Sequence, residues 1–217
     1  MKTNPMDRFE KIYCINLDKR KDRWKKCIEE FKKIDILDRV ERFSAIEHKI
    51  GECGCRLSHT EVIKKCKEEG DKNVLIFEDD VEFLHIDAFY KILNNSFKQM
   101  KKSGVKHDMF YLGGKIKGTT NTRIQKNLVK LDNVKTTHAY AITEKLYDSV
   151  IDSLAGVDIE DPQNWDLSNK NRYNVDYWYT HKIHPKYKVY GIYPMLANQA
   201  AGYSNLLEKE SVNIFST

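Results

Sequence analysis

Val74-Leu75-Ile76-Phe77, followed at once by Glu78-Asp79-Asp80, is the segment from which the architecture can be read. Four consecutive apolar residues, two of them β-branched, leave no polar face, and a strand buried on both faces is what the interior of a parallel sheet requires. Three carboxylates at its carboxyl end stand where open α/β sheets place their ligands, because loops and helix N-termini converge there. Upstream, Leu57, Val62, Ile63 and Cys66 recur at helical spacing and stop near Gly70, a residue suited to a helix C-terminus. Downstream, Ile86, Phe89, Leu93, Phe97 and Met100 describe a second helix, then Asp108 to Leu112 reads as a strand ending in Gly113-Gly114.

The same alternation fills the rest of the chain. Phe9 to Leu17 reads as an opening strand and Asp22 to Lys33 as an amphipathic helix carrying Trp24, Cys27, Ile28 and Phe31. Arg39 to Ile46, Leu128 to Leu131, Thr136 to Ile142 and Tyr187 to Tyr193 are further strands. Thr143 is placed to cap a helix with Leu146, Val150, Ile151 and Leu154. Val175 to Ile183 reads as a helix, and Pro194 to Asn205 as structured coil. Residues 156–174 are polar and irregular, longer than an ordinary connection, and are expected to form a substrate loop. Strands alternating with helices imply an α/β fold with a central, mostly parallel sheet flanked by helices. We expect an N-terminal tail over 1–10, one domain over 11–206 and a C-terminal tail over 207–217.

The 217 residues suit a single core, and 41% hydrophobic with 32% charged content excludes a disordered chain. No apolar run reaches the roughly 18 residues of a membrane helix, and residues 1–10 lack the apolar centre of a secretory signal, so a cytoplasmic location without membrane insertion is expected. The net charge of +5 is mild, and only eight of the 37 basic residues are Arg. They are scattered rather than gathered on one element, which argues against a nucleic-acid partner. The five cysteines point to a reducing compartment. Cys53, Cys55, His59 and Cys66 could supply soft ligands to zinc, but the spacing departs from that of structural zinc sites, and buried thiols are the favoured reading.

Neither GxGxxG nor GxxxxGK[ST] is present, so the usual phosphate-binding loops lack support. Glu78-Asp79-Asp80 repel one another, and a divalent cation would relieve that repulsion. With alternating side chains, Glu78 and Asp80 project to one face and Asp79 to the other, so a cation at Asp80, with Glu78 near, is geometrically natural. A solvated acidic turn ahead of a helix is the alternative.

Ile15-Asn16-Leu17-Asp18 with Arg20 and Arg23-Trp24, then Gly51-Glu52-Cys53-Gly54-Cys55-Arg56-Leu57-Ser58-His59, then Leu75 to Val81, closely resembles glycosyltransferase family 25. That family includes lipooligosaccharide and collagen hydroxylysine galactosyltransferases. Tyr111-Leu112-Gly113-Gly114, Thr137 to Ile142, Val175-Asp176-Tyr177-Trp178 and Tyr193-Pro194 to Ser204 follow in the family's order.

The resemblance implies a GT-A-like, Rossmann-type fold for nucleotide sugars. It implies transfer of galactose or glucose, with inversion, from a UDP-sugar to a hydroxyl of a glycan or of hydroxylysine, assisted by Mn2+ or Mg2+. Under it, Glu78, Asp80 and Gln199 are the expected metal ligands. Asn16, Arg20, Arg23, Ser58, His59 and Asp79 are expected to hold the donor, and Asp176 to act as general base, with Tyr177 and Trp178 as sugar platforms. Asp176 as a helix cap, and His181 or His184 as base, are the alternatives. Asn205 stands where the family commonly has an acidic residue, and a non-catalytic sugar-binding relative is the other functional reading.

Overall fold

The computed structural model describes residues 4–117, 122–154, 173–200, 202–204 and 209–211. The loop expected over 156–174 falls outside them except for Tyr173 and Asn174, and Asn205 falls outside as well.

The apolar run around Ile76 is β3 (Asn73–Glu78), buried throughout its centre. It pairs in parallel with β1 (Lys11–Asn16), which pairs in parallel with β2 (Val40–Ser44). On the other side of β3 lies β8 (Val134–Thr143), antiparallel both to it and to β5 (Met109–Ile116). The sheet continues through β9 (Val189–Ile192), parallel to β5, and ends in the hairpin of β7 (Leu128–Lys130) and β6 (Thr122–Gln125). Along this path β2, β1, β3, β5, β9 and β6 point one way, with β8 and β7 reversed. The mixed α/β class and its largely parallel centre stand as expected.

Alternating residues of each strand feed two cores. Ile12, Cys14, Leu75 and Phe77 pack beneath α1 (Lys21–Lys33) and α3 (Phe89–Lys102). Tyr13, Ile15, Val74 and Ile76 pack beneath α2 (Gly51–Glu69), α4 (Tyr147–Ile151) and α5 (Val175–Trp178). Helix α2 ends at Gly70 in the left-handed conformation, φ 79°. No helix among the described residues is long and apolar enough to cross a membrane.

Four local expectations change. Met6 and Phe9, within the segment assigned to an N-terminal tail, are buried in the core. Thr143 makes no side-chain cap; its hydroxyl bonds the Asp108 carbonyl instead. Strand β5 runs on through Gly113 and Gly114 to Ile116, with register shifts on either side of Gly113. The coil expected over Pro194 to Asn205 contains β10 (Ala197–Gln199), antiparallel to β4 (Val81–Phe83) and touching β5 at Gly113. A Cβ at Gly113 would lie 2.5 Å from both the Ala197 oxygen and His138 Nε2, so only glycine lets β10 approach. Strands β11 (Gly202–Ser204) and β12 (Lys209–Ser211) form a separate pair.

Candidate active site

The carboxyl ends of β1, β3 and β10 and the amino-terminal half of the reversed β8 meet at the acidic triplet. From β1, Asn16 is buried and its amide donates to Asp79 Oδ2 (2.8 Å) and to the Arg20 carbonyl (3.1 Å). Its side-chain oxygen accepts from Arg42 Nε at 2.9 Å. From α1, Arg23 Nη1 reaches Asp79 Oδ1 at 2.5 Å and Asp80 Oδ2 at 3.8 Å. Arg20 is bound in bidentate fashion to Asp22, with both contacts 2.9 Å. Asn16, Arg23 and Asp79 therefore form one cluster, with Arg20 at its edge.

Glu78 and Asp80 have separate partners. Glu78 Oε1 accepts from Thr137 Oγ1 (2.5 Å) and stands 3.3 Å from His59 Nε2. Burial pushes the Glu78 carboxyl up, but His59, Thr137 and His138 together outweigh it and hold it below the usual glutamate range. Asp80 Oδ2 accepts from Gln199 Nε2 at 3.1 Å, and the Asp80 carbonyl accepts from the Ala200 amide at 2.7 Å. Its Oδ1 is buried with no hydrogen-bond partner among the described residues. Burial, then the Glu78 charge, raises the Asp80 carboxyl to about 8 against the pull of Arg23. A buried carboxylate with an orphaned oxygen, beside an amide whose carbonyl can turn toward it, fits a hard divalent cation.

Asp176 is the second residue of α5. Its Oδ2 accepts the Thr136 amide at 2.8 Å, while Asn174, not Asp176, supplies the helix cap. Thr136 sits at φ 68°, a strained setting for a β-branched residue. Its hydroxyl bonds His138 Nδ1 (3.0 Å), and His138 Nε2 faces the Ala197 carbonyl at 3.3 Å. That carbonyl can only accept, so the proton is on Nε2 and Nδ1 accepts from Thr136. Burial keeps this ring neutral by lowering its pKa. The Cys55 thiol is pushed well up by burial and by the charges of Glu78, Asp80, Asp176 and Asp79, so all four carboxylates bear on one neighbourhood.

Two expected donor ligands are placed elsewhere. Helix α2 starts at Gly51, so Ser58 and His59 lie two turns inside it and not near its start. Ser58 is fully buried; its hydroxyl donates to the Gly54 carbonyl (2.6 Å) and accepts the Ile46 amide (2.8 Å). His59 is equally buried, with Nδ1 2.8 Å from Tyr140 Oη. Ser58 thus spends its hydroxyl within the fold, and the remaining ring nitrogen of His59, Nε2, faces Glu78. Tyr177 is exposed but stacked on His181 at 3.9 Å, and Trp178 packs partly buried against the core with Arg56 over its ring. Arg42, Thr136, Thr137 and His138 escaped the sequence reading as site residues, although Thr137-His138 lies in a segment singled out for resemblance.

The family model described as Glycosyltransferase family 25 (LPS biosynthesis protein) matches residues 49–161, just over half of the chain. The chain belongs to glycosyltransferase family 25. The match runs from α2 through the acidic triplet, β5 and β8, and ends before Asp176 and Gln199. Among solved structures, this family-25 chain is similar to A197 from STIV (10% identity, 93% of this chain and 92% of that one, TM-score 0.49). It is also similar to a glycosyltransferase involved in the glycosylation of the major capsid of PBCV-1 (12%, 72% and 69%, TM-score 0.40). A third is mannose-1-phosphate geranyltransferase from Thermus thermophilus (8%, 83% and 72%, TM-score 0.44). These distant likenesses bear on no residue's role.

Proposed function

We propose that this family-25 glycosyltransferase transfers galactose or glucose from a UDP-sugar to a hydroxyl of a glycan or of hydroxylysine in a collagen-like protein, with inversion at the anomeric carbon. The observation that carries this reading is the buried Asp80 Oδ1, without a hydrogen-bond partner among the described residues and under the charges of Glu78 and Asp79, a setting that suits a cation at the ligand-binding edge of the sheet. Asp80 and Gln199 are the ligands we assign to Mn2+ or Mg2+, with Glu78 close enough to act through its charge. When bound, such a cation neutralises charge on the departing diphosphate.

The rest falls to side chains of this chain. Arg23 and Arg20 offer planar guanidinium donors to phosphate oxygens, and Asn16 with Asp79 lines the nucleotide's entry. Asp176 takes the proton from the acceptor hydroxyl as its oxygen bonds to the anomeric carbon and the bond from that carbon to UDP breaks. The Thr136 amide holds the Asp176 carboxylate in place. Ser58 and His59 support this edge from beneath. We assign the residues 11–206 to one catalytic domain.

The test is thermal unfolding with Mn2+ and UDP together, followed by a donor screen that measures UDP release with glycan and hydroxylysine-peptide acceptors. Binding linkage should raise the melting temperature, and EDTA should cancel the rise. Stabilisation without turnover of any donor would favour the non-catalytic relative, and no stabilisation would remove the nucleotide-sugar reading.

A further inference from the structure

Cys55 and His59 lie one helical turn apart on α2 and face the end of β3, where Glu78 projects. Their ligand atoms, Cys55 Sγ, a ring nitrogen of His59 and a Glu78 oxygen, all lie within 4.8 Å of one another. His59 is completely buried, and among the described residues its Nε2 has no aligned hydrogen bond although Glu78 Oε1 is 3.3 Å away. Tetrahedral zinc, with bonds of about 2.0–2.3 Å, sets neighbouring ligand atoms about 3.3–3.8 Å apart. The His59–Glu78 pair already has that spacing, and the thiol needs to close by about 1 Å at most.

We infer that Cys55, His59 and Glu78 form a zinc site of this chain, separate from the cation at Asp80. The ligand set decides the ion: thiolate and imidazole suit a borderline-soft metal, whereas Asp80 and Gln199 offer only oxygen to a hard one. The surroundings are those of a built site. Tyr140 Oη bonds His59 Nδ1 and leaves Nε2 for the metal, while Thr137 Oγ1 orients the Glu78 carboxylate. Cys55 and Glu78 are only partly buried, and water would complete the tetrahedron as the fourth ligand. On coordination Cys55 gives its thiol proton to solvent, and no electron moves. Of the soft ligands considered from the sequence, Cys53 packs instead against Tyr173 and Cys66 lies in the core beneath α2. The site stands independently of the transferase reading.

The experiment titrates EDTA-stripped full chain with Co2+ and follows the near-ultraviolet band of a cobalt–thiolate bond. The band should saturate at one equivalent and be displaced by one equivalent of Zn2+. Cys55→Ser should abolish it, while Cys53→Ser and Asp80→Asn leave it intact. Tyr140→Phe should keep the band and weaken Co2+ binding about 10–100-fold, the loss typical of an outer-shell partner. Far-ultraviolet circular dichroism identifies any variant that has not folded, and the wild-type and Tyr140→Phe titrations decide the matter without Cys55→Ser. Absence of a stoichiometric band in the wild type, or its survival in folded Cys55→Ser, would overturn the assignment. Loss of the Mn2+ effect in Asp80→Asn with the cobalt band unchanged would confirm that the two sites are distinct.

Discussion

Arg23 and Asp79 form an ion pair across 56 residues of sequence, with the two side chains only 17% and 11% exposed. Helix α1 is thereby fastened to the end of β3. Removing one member of such a pair strands the other's charge. Arg23→Ala is therefore expected to cost about 3–5 kcal/mol of stability as well as donor affinity. Arg20 pairs with Asp22, whose side chain is 60% exposed, so Arg20→Ala should cost about 1 kcal/mol or less while still weakening UDP binding. Chemical denaturation with calorimetric UDP titration separates the two effects. Equal stability loss in both variants would contradict the burial argument.

Asp80 makes an opposite prediction for stability. Its carboxyl, near 8 in the fold and near 4 when unfolded, binds a proton more tightly in the native state. Between those values the metal-free protein loses stability as pH rises. Asp80→Asn removes that penalty, so at pH 7.5 it should melt above the metal-free wild type yet gain nothing from Mn2+ and UDP. A variant that still responds to Mn2+ would return the cation to other ligands.

Asp176→Asn should lower kcat by about 10²–10⁴-fold with UDP-sugar affinity nearly unchanged. The amide oxygen can still accept the Thr136 N–H, so the fold is preserved and the loss is of basicity alone. Turnover within a few-fold of wild type would send the search for a base elsewhere in the crevice.

His184 supplies the acid limb. Burial lowers its pKa to about 4 despite the nearby Asp132, while Tyr111 Oη bonds its Nε2 at 3.1 Å. The unfolded chain takes up this proton near pH 6.5 and the folded one near 4, so stability falls as pH drops through that window. His184→Gln should flatten this part of the profile. Melting temperatures at pH 5 and 7 for both proteins check it, and identical pH slopes would refute the assignment.

What the sequence disclosed follows from how each segment is buried. The run Val74 to Phe77 announced itself because both faces are covered. The start of α2 did not: the helical spacing is legible only from Leu57 onward, because Gly51 and Gly54 and an Ile50 without a capping side chain leave the first turn unmarked. The helix is nevertheless held there because Gly54 lets it approach the Ile46 carbonyl, where a Cβ would come within 2.6 Å. Ser58 and His59 therefore lie deeper in the helix than a pattern beginning at Leu57 indicates. The reversal of β8 left no mark, since a strand buried from Thr137 to Ile142 reads alike in either direction. Arg42 lay in a partly exposed strand, and what sets it apart from an ordinary surface charge, its bonds to Asn16 and Asp18 and its place over Trp24, appears only in the fold.

The Gln199–Asp80 hydrogen bond joins positions 119 apart, through a β10 strand that pairs with β4 and touches β5 only at Gly113. During synthesis, the acidic triplet therefore emerges long before the amide that donates to Asp80. A chain halted short of residue 199 could pair Asp79 with Arg23 and Glu78 with Thr137 but would leave Asp80 without the bond from Gln199. Late, long-range closures of this kind are the slow part of assembly. Under the cation assignment proposed above, affinity for Mn2+ should arise only once β10 has docked, so that metal retention would serve as a gauge of chains that have finished.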